Sequence, residues 1–383
     1  MQRLVCLDGV RGALAVYVML SHMAPFAAMP AWLAHLLSHG GAGVDVFFIL
    51  SGLVIVRSLE SCRWQAQPFL IARVWRILPA YLLVLILAIA VQPLPVAFDA
   101  MPWIVADSPA HSIWSQGWPV TWAPELLAHL TMTHGLFPDG VLPDMWVSFL
   151  GAAWSLSTEW QFYGLVLLAG RAFGGKVPHL ISLFLILGLA GLVWQAAAPA
   201  PWHFSRAFLP NKAEYFALGI ASALAIRDRD WQRYGLTLAA VMAVCGCWGG
   251  AEKLLPPLAW TLCLAAQCGV PGSGFLARTL SSRPVLWFGS ISYCLYLVNE
   301  PLQKPLGIGL AWLAAGDGRW FSLLWVPLAI VIPVVVAAIL YYLVERPAQN
   351  RGRHAAHRRV VRPGRWIAVG DPDRASPGQV PGQ

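Results

Sequence analysis

Several stretches of this sequence run for 22 residues or more without a single Asp, Glu, Lys or Arg, among them 77–98, 177–205, 254–277 and 320–344. An α-helix rises about 1.5 Å per residue, so about 20 apolar residues cross the hydrocarbon core of a bilayer. Composition agrees. Hydrophobic residues make up 58% of the 383 and charged residues 11%, where soluble domains carry about 25% charge; the mean hydropathy is +0.62. These values exclude a soluble enzyme, a disordered regulator and a secreted disulfide scaffold. The apolar runs are continuous, whereas the strands of a membrane β-barrel alternate. The expected fold is therefore an all-α polytopic membrane protein.

Shorter apolar runs flanked by charge extend the count to ten transmembrane helices, near 10–27, 43–58, 76–95, 154–173, 178–198, 212–227, 234–250, 256–271, 284–305 and 320–345. The connection 96–153 is rich in Trp and Pro, and its amphipathic run 124–137 suits the membrane interface or a re-entrant turn. With both termini in the cytoplasm, 21 of the 26 Lys and Arg residues fall inside. Arg206, Lys212, Lys253, Lys304 and Arg319 fall outside, a strong positive-inside bias. The net charge of +8 is then topology signal plus attraction to anionic membrane lipid, and calls for no nucleic acid. The chain divides into a membrane domain, 1–350, and a basic, then Pro/Gly-rich cytoplasmic tail, 351–383, that is expected to be disordered. The basic part of that tail reads as a juxtamembrane anchor. The cysteines read as small packing residues, and no metal site is expected.

Ionisable groups inside spans are costly, so each is a functional candidate. Arg11 and His22 are eleven residues apart, which at about 100° per residue returns to nearly the same helix face about 16 Å away. Asp45 lies in GVDVFFILSG near the outer end of the second helix, where it could equally be an N-cap. Arg73 and Arg76 project from one face of the third helix's cytoplasmic end. There they can hold phosphates, or act as topology signal alone. Ser155, Glu159 and Tyr163 recur every fourth residue in WSLSTEWQFY as one polar stripe. Glu159 must find a partner on another helix, and His22 is a candidate. FGSISYCLYLVNEP (288–301) carries Ser292, Tyr296, Asn299 and Glu300, and YYLVERP (341–347) ends in Glu345 and Arg346, a structural ion pair.

The order LDGVRG with Arg-x10-His, GVDVFFILSG, Arg-x-x-Arg, WSLSTEWQFY, SYCLYLVNEP and YxxxERP resembles acyltransferase family 3 over residues 7–347. These are ten-helix membrane O-acyltransferases of bacterial surface glycans and of some lipids, antibiotics and signalling oligosaccharides. The resemblance implies a multi-pass protein of the bacterial cytoplasmic (inner) membrane without a fused SGNH domain. It would move an acyl group, most simply acetyl, from acyl-CoA to a hydroxyl of a surface glycan, a lipid-linked sugar or a related acceptor. Acyl-CoA is a co-substrate, and no cofactor is permanently bound. His22 takes the catalytic position, with Asp45 and Glu159 as acidic motif residues that could orient its ring. Arg11, Arg73 and Arg76 match the donor-handling positions. Ser155, Tyr163 and Asn299 are candidates for substrate binding. Asn299 is a departure, because the family motif usually has histidine there, and a different acceptor could follow. Whether His22 serves as general base or acyl-carrying nucleophile is open, as are acceptor, acyl chain and oligomeric state. The competing reading is a transporter or flippase of a lipid-linked sugar, without catalysis.

Overall fold

The computed structural model describes residues 4–114, 117–248 and 250–361, and over these the chain is all-helical. The principal helices are α1 Val5–Met23, α2 Gly40–Ser61, α3 Ala66–Val91, α4 Trp154–Ala172, α5 Val177–Ala197, α6 Ala213–Asp228, α7 Trp231–Trp248, α8 Leu255–Cys268, α9 Arg283–Ala314, α10 Gly318–Leu340 and α11 Arg346–Val361. A helix stands at each of the ten expected positions. By length and composition five segments can cross a membrane: Val5–Phe26, Ala31–Ser61, Ala66–Val91, Val177–Ala197 and Gly318–Arg359. The other five expected positions hold shorter or more polar helices. Among them, α6 is buried on every side from Ala213 to Ala225, Glu214 and Ser222 included.

Side-chain pairs fix the helix directions. Asp45 meets Lys212 and Glu60 meets Arg227 at the same offset of 167 residues, so α2 and α6 run parallel. Gly12 faces Gly289 and His22 faces Asn299, so α1 and α9 are parallel too. In contrast, α1 and α2 are antiparallel, with Gly40 against Ser21 and Gly43 against Val18. So are α9 and α10, where Gln303 reaches Ala329 and Cys294 reaches Glu345. Odd-numbered helices run one way in these pairs and even-numbered helices the other.

Two glycine contacts set the spacing. A Cβ on Gly12 would lie 2.5 Å from the Gly289 nitrogen and 2.6 Å from the Val285 oxygen. A Cβ on Gly52 would lie 3.1 Å from the Gly219 Cα. The backbones of α1 and α9, and of α2 and α6, therefore touch directly, which is how small residues drive helix association where lipid removes the usual hydrophobic force.

The connection between α3 and α4 folds over one end of the bundle. Its Trp114 stacks on Phe26 at 3.6 Å and meets Trp325 edge-on at 5.7 Å. The expected amphipathic run, 124–137, overlaps the short helix Trp122–Leu130. Two residues of that run, His129 and His134, are buried with stacked rings 4.2 Å apart. Each donates through Nε2 to a carbonyl, of Met145 and Ala153 respectively.

The C-terminal segment differs from expectation. Residues 351–361 are helical, because the run of Arg, His and Ala holds a single glycine and no proline before Val361. That glycine, Gly352, lets α11 lie against Trp75 of α3, where a Cβ would come within 2.5 Å of the Trp75 Cβ. The Pro/Gly-rich part of the expected disordered tail, 366–383, lies outside the described residues.

Candidate active site

A cavity of about 120 Å³ lies among α1, α2, α3, α4 and α9. Its walls are largely apolar and include Phe47, Phe48 and Leu156. Into it project Arg11, Arg73, Arg76, Ser155, Glu159 and Tyr163, six of the nine residues given a catalytic, donor-handling or substrate-binding role from the sequence. The polar stripe of α4 forms as the fourfold spacing requires. Tyr163 donates to Glu159 Oε1 at 2.5 Å, Ser51 donates to the same oxygen at 3.2 Å, and Ser155 shares a 2.9 Å hydrogen bond with Tyr296. The Glu159 charge acts on Arg11 and Arg73.

Arg73 is 8% exposed and sits between two rings, 5.4 Å from the Phe69 centroid and 5.9 Å from Tyr163. Its Nε has no hydrogen-bond partner within the protein. A buried guanidinium normally uses its donors, and this one also lines the cavity beside Arg76 and Arg11, a setting suited to an anion. Arg76 and Arg11 also feel Glu345.

His22 lies one helical turn beyond the cavity. Tyr296 lines the cavity wall, and three residues further along α9 Asn299 holds His22, with Nδ1 2.7 Å from Asn299 Oδ1. Asn299 has its amide nitrogen committed to the carbonyls of Leu295, at 3.1 Å, and Tyr296, at 2.6 Å. Its oxygen must therefore face the imidazole, and an amide oxygen only accepts. His22 Nδ1 carries the proton, and in the neutral ring Nε2 keeps its lone pair.

Three expectations change here. The carboxylates expected to orient His22 are engaged elsewhere, Glu159 by Tyr163 and Ser51, and Asp45 by Lys212 at 2.6 Å. Asp45 is not an N-cap, because α2 begins five residues earlier at Gly40. Glu345, 2% exposed, takes its hydrogen bonds from Cys294 at 3.1 Å and Gln349 at 2.6 Å rather than from Arg346. The π-turn Tyr341–Glu345 aims it inward, a distortion frequent at functional sites.

The sequence reading also passed over residues that the fold brings in. Lys212 stands among the outside charges, and Ser51 and Tyr293, which both line the cavity, are given no role from the sequence; Tyr293 donates to the Ile77 carbonyl. A polar residue at an apolar-helix position was the available signal for Tyr293. Nothing local marked Lys212 as a partner for Asp45.

The family described as an acyltransferase domain, acyltransferase 3, matches residues 4–342. The chain belongs to acyltransferase family 3. It is similar to the putative peptidoglycan O-acetyltransferase YrhL of Bacillus subtilis (strain 168), 25% identical over 357 residues that cover 84% of this chain and 52% of the relative. It is also similar to the acyltransferase MdmB of Streptomyces mycarofaciens, 25% identical over 397 residues covering 91% of this chain and 92% of that one. The chain thus spans about half the length of the first relative and most of the second. No solved structure matches. Six of the motif residues of this acyltransferase 3 chain, drawn from α1, α3 and α4, gather around one cavity.

Proposed function

We propose that this protein is a membrane O-acyltransferase that takes an acyl group, most simply acetyl, from acyl-CoA and places it on a hydroxyl of a surface glycan, a lipid-linked sugar or a related acceptor. All ten principal helices α1–α10 cross the bacterial cytoplasmic membrane, with both termini inside. The alternation of parallel and antiparallel pairs supports that topology, since helices of like parity run the same way. The observation that carries the chemistry is His22, held by Asn299 with Nε2 unprotonated, one turn beyond a cavity whose other end is lined with arginine.

The donor phosphates bind at Arg73 and Arg76, at the cytoplasmic end, and the thioester arm runs toward His22. Nε2 takes the proton of the acceptor hydroxyl as its oxygen attacks the thioester carbonyl. The C–S bond breaks, and the imidazolium returns the proton to the CoA thiolate, so no net proton is consumed. The same lone pair would serve if the acyl group paused on the imidazole. Glu159, fixed by Tyr163 and Ser51, offsets the arginine charge and keeps the track polar. The relative's name, a putative peptidoglycan O-acetyltransferase, favours a cell-wall glycan among the acceptors.

Membranes carrying the protein or its His22→Ala form, supplied with labelled acetyl-CoA, test this reading. Base-labile ester label should appear with His22 and fall to background without it, while both forms insert equally. Ester formation that survives His22→Ala removes His22 from the chemistry. CoA-independent movement of a lipid-linked sugar, without ester formation, would establish the transporter instead.

A further inference from the structure

The cavity has a neighbour. A cleft of about 490 Å³, a size typical of ligand sites, opens between the end of α2, the start of α3 and α11. Among its lining residues, Arg73 and Arg76 also line the catalytic cavity and so form the boundary between the two spaces. The far wall is Arg353 and His357, one turn apart on α11, with Ser58 and Ser61 at the end of α2. None of the described residues lining the cleft is acidic. A relay sets the register of α11: Arg353 donates to Gln349 at 3.4 Å, and Gln349 donates to Glu345 at 2.6 Å. Gly352, the residue before Arg353, packs on Trp75. The basic helix is thus seated with one face on α3 and Arg353 turned into the cleft.

We propose that this cleft holds the nucleotide end of the acyl donor and that Arg353 and His357 read its ribose 3′-phosphate. The inference rests on the acyl-CoA reading above and adds the residues that select this donor over one lacking that phosphate. The donor's shape makes the assignment. Its acyl end must reach His22, about 16 Å along α1 from Arg11. Its diphosphate meets the arginines at the boundary, where Arg73 and Arg76 line both spaces. The nucleoside beyond the diphosphate then has the cleft alone to occupy, and its remaining charged group is the 3′-phosphate. Guanidinium and imidazole one turn apart suit a phosphate monoester, since charge-assisted hydrogen bonds to phosphate are the strong ones.

The full-length protein in neutral phosphatidylcholine nanodiscs, titrated with CoA and with 3′-dephospho-CoA, tests the assignment. The unsubstituted protein should bind CoA about tenfold more tightly, the scale of one or two charge-assisted hydrogen bonds. Arg353→Gln with His357→Gln should bring CoA down to the dephospho-CoA affinity and leave the latter unchanged, which also shows the variant folded. Equal affinities in the unsubstituted protein, or undiminished discrimination in the variant, overturn the assignment and leave the donor reading standing. Failure to bind either compound overturns both. A variant defect that appears only when anionic phospholipid is added to the nanodisc assigns these side chains to lipid headgroups and sinks the proposal.

Discussion

Asn299 Oδ1 and His22 Nδ1 lie 2.7 Å apart, although 277 residues separate them in the chain. An amide thus does what a carboxylate commonly does for a functional histidine. It fixes the ring and its tautomer but adds no negative charge. The neutral ring keeps the Nε2 lone pair available to accept a proton.

Asn299→Leu removes the acceptor and frees the ring. Transfer should fall about 10- to 100-fold, the scale of lost orienting partners, with donor affinity little changed. Asn299→His, which places the usual family residue here, still offers one N–H and one acceptor nitrogen and should keep most of the turnover. Single-turnover transfer in membranes separates these cases. Equal, severe losses in both variants would mean that the site needs the amide for something besides the tautomer.

The Asp45–Lys212 pair ties α2 to the start of α6 with side chains 9% and 14% exposed. Asp45→Ala leaves a buried ammonium without its counter-charge, which costs about 3–5 kcal/mol. The variant's midpoint of thermal unfolding in detergent should drop sharply, and Asp45→Leu with Lys212→Met should recover much of it. A variant of normal stability that has lost transfer would return Asp45 to the chemistry.

His129 and His134 give the protein an acid sensitivity outside the ten expected spans. Burial holds the His134 pKa at about 4, and burial followed by repulsion from His134 pushes His129 well below its ordinary value. Both rings are neutral in the folded protein and ordinary, near 6.5, in the unfolded chain. The unfolded state therefore binds more protons between these values. Stability from the pair is fully present above about pH 6.5 and is lost as pH falls toward 4. The unfolding midpoint of the unsubstituted protein should decline over that window. In His129→Leu/His134→Leu the decline should flatten, and a variant with the same slope would exclude the pair as its source.

Much of the architecture was legible from local pattern. Apolar length, whether charge-free or broken by a few charges, dictated a helix at each of ten positions, because a polar backbone in hydrocarbon has to satisfy its own hydrogen bonds. The fourfold spacing of Ser155, Glu159 and Tyr163 dictated their common face, and the Arg-x-x-Arg spacing put both guanidiniums at one cavity boundary. Periodicity says which residues share a face, but it carries no information about which helix that face meets.

That second question the tertiary structure decided. Gly12 against Gly289 sets α1 beside α9, and with that contact made, His22 meets Asn299 rather than Glu159 or Asp45. Gly52 against Gly219 does the same for α2 and α6, and so gives Asp45 its lysine. The basic segment after α10 reads along the chain as a tail, and only its packing on Trp75 turns it into the wall of a cleft. The sequence determined the helices and their polar faces because hydrogen bonding and helical period act within a few residues. Backbone-to-backbone contact at glycines hundreds of positions apart determined the partners, because only the folded bundle brings those surfaces together.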